Sequence, residues 1–452
     1  MFFTSLAVQL ARAVPSLQTH IRDAVRKRSD IANLSLPEQW RQLVLGPLSK
    51  LKNDLGQTYI LIIDAIDECD NEDNIWFILR LLAEAGSLGI HQLRILLTSR
   101  PQSLIQRSFD QMPKARHQDF TLHNVSPMLV DHDITLFLKT EFEEIRDKLG
   151  LEAEWPGNTV IEKLVHSAGS LFIWAATACR FVREGKMYAA DRLYEILKEN
   201  PVDTSATDSS TDDSSTDGSA SKNRAIAPDE HLNGMYTTVL KHSARTYTKQ
   251  ERKKLYKVLR QTLGGIILIF SPLPALSLAS LLNIRGESVF QTLDDLRSIL
   301  DIPKDVSRPL RLLHPSFRDF LLNKDKCSKH FYIDERELHQ VLADGCIQLM
   351  SRTLKKDICE MHAPGSQASQ VKSSWIEKCL PPEVQYACLY WVQHLQRSGS
   401  QACDGEDAHR FLQTHLLHWL EALGWMGKTS AGIQAILSLE AHVKVKLFIY
   451  CL

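Results

Sequence analysis

Residues Tyr59–Asp70 read YILIIDAIDECD. The opening five residues form an unbroken apolar run too short for a helix and rich in β-branched side chains, the mark of a strand buried in a parallel sheet. Ile75–Ala85 then repeats its apolar residues at helical spacing, and Leu93–Leu97 (LRILL) forms a second short apolar run. Strand, helix, strand in such close succession predicts two parallel strands joined by a helical crossover. Asp64, Asp67 and Glu68 would then stand at the carboxyl edge of the sheet, where open α/β sheets bind their ligands. An acid at the end of the strand can hold a Mg²⁺ ion, commonly through water, and a second acid just beyond it can polarise an attacking water. The alternative is that the same carboxylates cap the helix that follows, since acids are favoured at helix starts. Arg94–Pro101 (RILLTSRP) ends the second strand in hydroxyls and a cation, bringing Thr98, Ser99 and Arg100 to the same edge. An arginine in that position can sense a γ-phosphate or pair with a surface carboxylate.

Outward from this pair, Phe3, Leu6, Ala7 and Leu10 fall on one face of an N-terminal helix, a better account of Met1–Ala13 than a signal peptide because no positive segment precedes the apolar one. Phe120–Val125 is a candidate third strand. Asp131–Lys148 and Thr159–Glu184 read as helices, the second broken near Gly169. Pro201–Asn223 is dominated by Ser, Thr and Asp and has no large apolar residue after Val202, so it predicts an acidic tether that cannot order itself by burial. Beyond it lie helices at Glu230–His242 and Lys249–Leu263. The apolar stretch Leu263–Ile284 is long enough to suggest a membrane span, but Pro272 and Pro274 near its middle predict a buried helix end, a break and a second helix. A helix at Glu287–Leu300 leads into two extended runs, Leu300–Pro303 and Pro309–Leu313, followed by a helix at Ser316–Leu322. Helices with a terminal hairpin describe a winged helix. From Glu335 onward only helical patterns occur.

With 452 residues, 44% hydrophobic and 24% charged, the chain can bury more than one core, and its formal net charge of −1 gives no bulk electrostatic case for a polyanion partner. The basic cluster Lys249–Lys257, with Arg245 and Arg260, is too modest to predict nucleic-acid binding. Nine cysteines without small-domain spacing fit a reducing compartment. Cys359, His362, Cys379, Cys388, His409, His415 and His418 lack the paired spacing of a zinc site. Trp375, Trp391, Trp419 and Trp425, with Tyr386 and Tyr390, read as core rather than a ligand cage. No G-x-S-x-G elbow supports a serine hydrolase.

Taken together, LIIDAIDEC, ILLTSRP, the Gly169–Phe181 stretch GSLFIWAATACRF, FSPLPALSLASLL, LRLLHPSFRDFLL and LPPEVQYACLYWVQHL resemble, in their order, the NACHT division of the STAND signalling NTPases, in particular the fungal NLR-like proteins of non-self recognition and heterokaryon incompatibility. The resemblance runs along nearly the whole chain. It implies an α/β plus all-α fold: a partial NACHT core with an incomplete P-loop-type parallel sheet at 1–130, a helical domain at 131–200, a disordered acidic linker at 201–227, a winged-helix domain at 228–330 and a C-terminal helical region at 331–452. It also implies ATP/ADP and Mg²⁺ as ligands, Asp64 as the magnesium acid, Asp67 and Glu68 as the catalytic second acids, Arg100 as sensor, Gly169 at the turn over the adenine and His314 as the histidine that contacts ADP in the closed state. On its own chemistry, His314 is better read as a helix-capping or core-edge histidine.

One departure bears on function. The family's G-x-x-x-x-G-K-[ST] loop belongs before Tyr59, and no such motif stands there. Gly427-Lys428-Thr429 has Ala422 where the first glycine is required and follows no strand pattern. Without the loop's amide cradle and lysine, most of the β- and γ-phosphate contacts are missing. Met1-Phe2-Phe3 resembles an internal family segment and the closing KVKLFIYCL leads into none of the family's repeats. The resemblance therefore implies a partial protein without an autonomous ATPase cycle, or a non-catalytic scaffold that regulates intact relatives, or a switch whose loop is supplied in trans or by an upstream exon. The expected partners are proteins, either intact relatives or further copies of the chain, and the expected setting is cytoplasmic, with no membrane and no nucleic acid.

Overall fold

The structure is a computed structural model that describes residues 2–28, 30–31, 34–51, 59–69, 72–85, 93–100, 103–113, 117–199, 228–362, 365–399 and 407–443. The tether foreseen at 201–227 and the closing run 444–452 lie outside the described residues, as do Cys403 and Cys451. The chain divides into two compact units, Met1–Asn124 and Val125–Leu452.

In the first unit, helices α1 (Phe2–Ala13), α2 (Pro15–Lys27), α3 (Leu36–Trp40) and α4 (Gly46–Ser49) precede strand β1 (Tyr59–Ile63). Helix α5 (Glu72–Ala85), strand β2 (Leu93–Leu97) and helix α6 (Ser103–Asp110) follow. The two strands pair in parallel, Tyr59 against Leu93 through Ile63 against Leu97, as the strand-helix-strand pattern predicts. Their inner face buries Leu61 and Ile63 in a core with Phe3, Leu6, Trp40, Ile75 and Ile78. Phe3 and Trp40 pack with tilted rings, their centroids 5.0 Å apart, so the apolar stripe of α1 is a core face. The opposite side of the sheet behaves differently from the expectation for an unbroken apolar run. Ile60 and Ile62 are each 65% exposed and Leu96 is 56% exposed. The strand foreseen at 120–125 does not form: Leu122–Asn124 is a 3₁₀ turn, and Phe120 and Leu122 are exposed. Alternating apolar residues become a strand only where a sheet edge receives their backbone groups, and none does so here among the described residues.

The second unit begins with α7 (Pro127–Leu149), whose Ile134, Leu138, Phe142 and Ile145 face the core at helical spacing. Helices α8 (Asn158–Ala168) and α9 (Phe172–Glu184) are the two parts of the helix expected at 159–184 with its break near Gly169. The break is Gly169 and Ser170, both left-handed at φ 53° and 61°; the glycine adopts this conformation without strain and closes α8 by donating its N–H to His166 O. Helices α10 (Ala189–Glu199) and α11 (Pro228–Ser243) follow. A capping box between Thr248 and Glu251 starts α12 (Lys249–Leu268). This helix runs five residues past its expected end because burial of Leu263, Ile266 and Ile267 outweighs the poor helix propensity of Gly264 and Gly265. Pro272 and Pro274 then separate it from α13 (Ala275–Leu281), as expected, and α14 (Gly286–Asp294) ends six residues short of its predicted limit.

The two extended runs form a short antiparallel hairpin, β3 (Leu300–Asp301) with β4 (Arg311–Leu312), followed by α15 (Ser316–Leu322). The remainder is helical: α16 (Glu335–Thr353), α17 (Ser373–Cys379), α18 (Pro382–Ser398), α19 (Asp407–Trp425) and α20 (Thr429–Val443). Trp391 and Trp419 are fully buried and meet edge to face at 5.7 Å, so these two aromatics of the region are core. No described helix is long and apolar enough to cross a membrane.

Candidate functional site

Asp64, Asp67, Glu68 and Arg100 belong to the first unit; Gly169 and His314 belong to the second. At the carboxyl ends of β1 and β2 the chain is sewn together by backbone bonds, Thr98 N–H to Ile63 O at 2.9 Å and Ile66 N–H to Thr98 O at 3.1 Å. Ala65 takes a left-handed conformation, φ 51° and ψ 54°, which turns the chain from the strand into the 3₁₀ turn Ile66–Glu68. Its N–H donates to Thr98 Oγ1 at 2.8 Å, and the Thr98 hydroxyl donates onward to Asp64 Oδ1. The threonine thus orients the Asp64 carboxylate while leaving it exposed.

Asp67 is placed otherwise. Its side chain is 2% exposed and accepts the Arg100 backbone N–H at 3.0 Å on Oδ1 and the Arg100 Nε–H at 3.1 Å on Oδ2. Two residues to which the resemblance gives separate roles are therefore one structural clamp across the strand ends. Glu68 remains exposed, with no polar partner among the described residues, and borders a cleft of about 440 Å³ with Phe2, Leu6, Gln9, Ile63 and Asn74. No lysine or arginine lines that cleft among the described residues, so it offers a phosphate no cation. The fit to Mg²⁺ rests on Asp64, an exposed hard oxygen donor already oriented at a strand end.

In the second unit, the Ser170 hydroxyl donates to Asp131 Oδ1 at 2.9 Å and ties the Gly169 turn to α7. His314 sits at the start of α15. Its Nδ1 accepts the Ser316 N–H at 3.2 Å, so the helix-capping chemistry is present. The Ser316 hydroxyl is 2.6 Å from the same nitrogen and the Tyr236 hydroxyl is 2.7 Å from Ser316 Oγ. Because Nδ1 accepts, the chain of protons runs from Tyr236 to Ser316 to His314, and the neutral imidazole carries its own proton on Nε2. Burial pushes the Tyr236 phenol above its ordinary pKa, which keeps it a donor. Arg180, on α9, lies within electrostatic reach of Tyr236; its Nε and Nη2 are buried without a hydrogen-bond partner among the described residues, and desolvation lowers its pKa. Neither Tyr236 nor Arg180 is visible as a site residue in the sequence. Tyr236 lies 80 positions from Ser316, and no local pattern marks the pair.

Residues 1–100, which contain both strands and the clamp, match the family model described as Nephrocystin 3, N-terminal. Over 414 residues, 86% of this chain, the sequence is 24% identical to the vegetative incompatibility protein HET-E-1 of Podospora anserina. The chain is thus similar to a fungal incompatibility protein. It spans 27% of that relative's length.

Among the described residues no three His, Cys, Asp or Glu side chains gather in a group that could hold a metal ion. Gly427-Lys428-Thr429 lies between α19 and α20, where Gly427, at φ 63°, ends one helix and Thr429 begins the next. It follows a helix, so it is not the strand-to-helix loop that cradles phosphate.

Proposed function

We propose that this chain is part of a NACHT-type signalling protein related to fungal non-self recognition, a nucleotide-responsive element whose 452 residues do not themselves turn over ATP. The observation that carries the reading is the convergence of Asp64, Thr98 and the Asp67–Arg100 clamp at the carboxyl ends of two paired parallel strands. Similarity to the incompatibility protein over most of the chain supports it. Asp64 is the residue that would hold Mg²⁺, and the ion, when bound, neutralises phosphate oxygens. Glu68 is the acid free to polarise water; Asp67 serves to seat Arg100, so any sensing by Arg100 is coupled to that pair. In the second unit, α12 to α15 with the β3–β4 hairpin would serve as a winged-helix latch, with His314, at the start of α15, as the residue that contacts ADP and Gly169 as the turn at the adenine. ATP/ADP exchange would then shift populations between closed and open forms in the cytoplasm. What supports the absence of turnover in these residues is that no G-x-x-x-x-G-K-[ST] stands before Tyr59.

A second reading, a non-catalytic scaffold for intact relatives or for further copies of the chain, is favoured by exposed apolar residues on the last two helices: Leu417 is 76% exposed, Ile433 58% and Leu437 51%. Calorimetric titration of the full chain with ATP and with ADP, with and without Mg²⁺ and with Asp64→Ala as control, separates the two. Binding that needs Mg²⁺ and is lost in the variant supports the nucleotide reading. A folded chain that binds neither nucleotide supports the scaffold, and Mg²⁺-dependent hydrolysis lost in Asp64→Ala refutes the absence of turnover.

A further inference from the structure

The seven described cysteines are all free thiols, and two of them touch. Cys359, in the loop between α16 and α17, and Cys379, the last residue of α17, are side-chain neighbours, Cys379 lying one turn beyond the Trp375 that bonds to Cys359 O. The loop is held from several sides. Glu421 on α19 accepts the backbone N–H groups of Asp357 and Ile358, both at 3.1 Å. The Asp357 carboxylate accepts those of Met361 and His362, both at 2.9 Å. Asp357, Glu360 and His362 all adopt left-handed backbone conformations, which only such over-determination maintains in residues other than glycine. Helix α17 is tied to the same point, because the Trp375 indole donates to Cys359 O at 3.0 Å. The two sulfurs are thus preset against each other by bonds that do not involve the sulfurs.

Their exposures differ. Cys359 is fully buried, whereas Cys379 is half-buried. Burial, the neighbouring Cys379 sulfur and the carboxylates of Glu421 and Asp357 push the Cys359 thiol up to about 12, so it stays protonated at neutral pH. A second cysteine pair across α16 and α18, Cys346 and Cys388, is sealed on both sides at 0% and 1% exposure. It lacks the accessible member an oxidant requires.

We propose that Cys359 and Cys379 form a reversible redox staple, a modification site at which a hydroperoxide oxidises the exposed thiol and the buried thiol resolves it. The Cys379 thiolate attacks the peroxide oxygen, the O–O bond breaks, and Cys379 becomes a sulfenic acid with release of hydroxide or alkoxide. The Cys359 sulfur then displaces the sulfenic oxygen, its proton leaves with that oxygen as water, and the S–S bond forms. In sum, two thiols are oxidised and one hydrogen peroxide is reduced to two waters. The product closes a ring of about 20 residues and joins the loop covalently to α17. A thiol reductant reopens it.

The test treats the full reduced chain with hydrogen peroxide, blocks remaining thiols by alkylation and maps the products by mass spectrometry without reduction. The expected result is a dominant Cys359–Cys379 linked peptide, reversed by dithiothreitol, with a rise of several degrees in the midpoint of thermal unfolding that reverses with it. In Cys379→Ser the linkage disappears. In Cys359→Ser, Cys379 loses its resolving partner and accumulates as a sulfenic acid trapped by dimedone. The proposal is overturned if, in the wild-type chain, Cys379 proceeds to sulfinic acid while Cys359 remains a thiol. It is equally overturned if Cys379 stays reduced, or if the linkage formed joins other cysteines.

Discussion

The Asp67–Arg100 clamp can be tested by removing it in two stages. Asp67→Ala deletes the acceptor of both the Arg100 backbone N–H and the Arg100 Nε–H, at 3.0 and 3.1 Å. The charge-assisted bond from the Arg100 backbone amide accounts for about 1.5 kcal/mol. The guanidinium pair adds about 1 kcal/mol, discounted because Arg100 is 46% exposed and rehydrates when released. A total near 2.5 kcal/mol corresponds to about 70-fold faster opening of the strand ends. Asp67→Asn keeps an oxygen for the backbone N–H and loses only the charge, so it costs about 1 kcal/mol, roughly fivefold. The assay is hydrogen exchange followed by mass spectrometry on peptides covering 59–69 and 93–100, which bear the amides of Ile66 and Thr98 bonded across the ends. Asp64→Ala, which leaves the clamp intact, serves as the control. Equal acceleration in Asp67→Ala and Asp67→Asn, or less than fivefold in Asp67→Ala, would refute the reasoning.

Further outcomes follow from the second unit. Nitrogen-15 NMR of His314 in the neutral ring should show the proton on Nε2, and Ser316→Ala with Tyr236→Phe should weaken that tautomer's preference; a protonated Nδ1 in the wild type would contradict the proton chain. His339 and His394, buried and joined at 2.8 Å through Nδ1 with Tyr386 on the far nitrogen of His394, are pushed by desolvation to about 4 and about 3. Arg397 and Arg318 lower His339 further, and His339 and Arg397 lower His394. Both stay neutral when folded but protonate near pH 6.5 when unfolded, so their stability contribution is full above about pH 6.5 and is lost as pH falls toward 4. Denaturation midpoints measured from pH 7 to 4.5 should fall steeply in the wild type and less so in His394→Gln. Gly345→Ala should cost about 2–4 kcal/mol in denaturant titration, because its Cβ would stand 2.1 Å from Leu281 O, a backbone atom that cannot rotate away.

The sequence by itself determined the elements whose causes are local. The apolar runs at 59–63 and 93–97 could be read as parallel strands because each is too short for a helix and a helical pattern joins them, and the acids beyond them then fall at the sheet's carboxyl edge; that one face of the pair is exposed at Ile60, Ile62 and Leu96 was not legible in the runs. Pro272 and Pro274 had to end a helix, since the proline ring fixes φ and removes a donor, and Gly169 offered the left-handed turn that closes one. Tertiary structure decided everything that depends on who stands opposite. Asp67 and Glu68 are neighbours in the chain, yet one is sealed against Arg100 and the other faces solvent, a difference invisible in composition. Phe120–Val125 carries strand-like alternation but finds no sheet edge, and α12 extends through two glycines because its neighbours cover them. Tyr236 meets Ser316, His339 meets His394 and Cys359 meets Cys379 across long stretches of chain. Periodicity records how a segment buries its own face; pairing depends on distances through space, which only the packed chain sets.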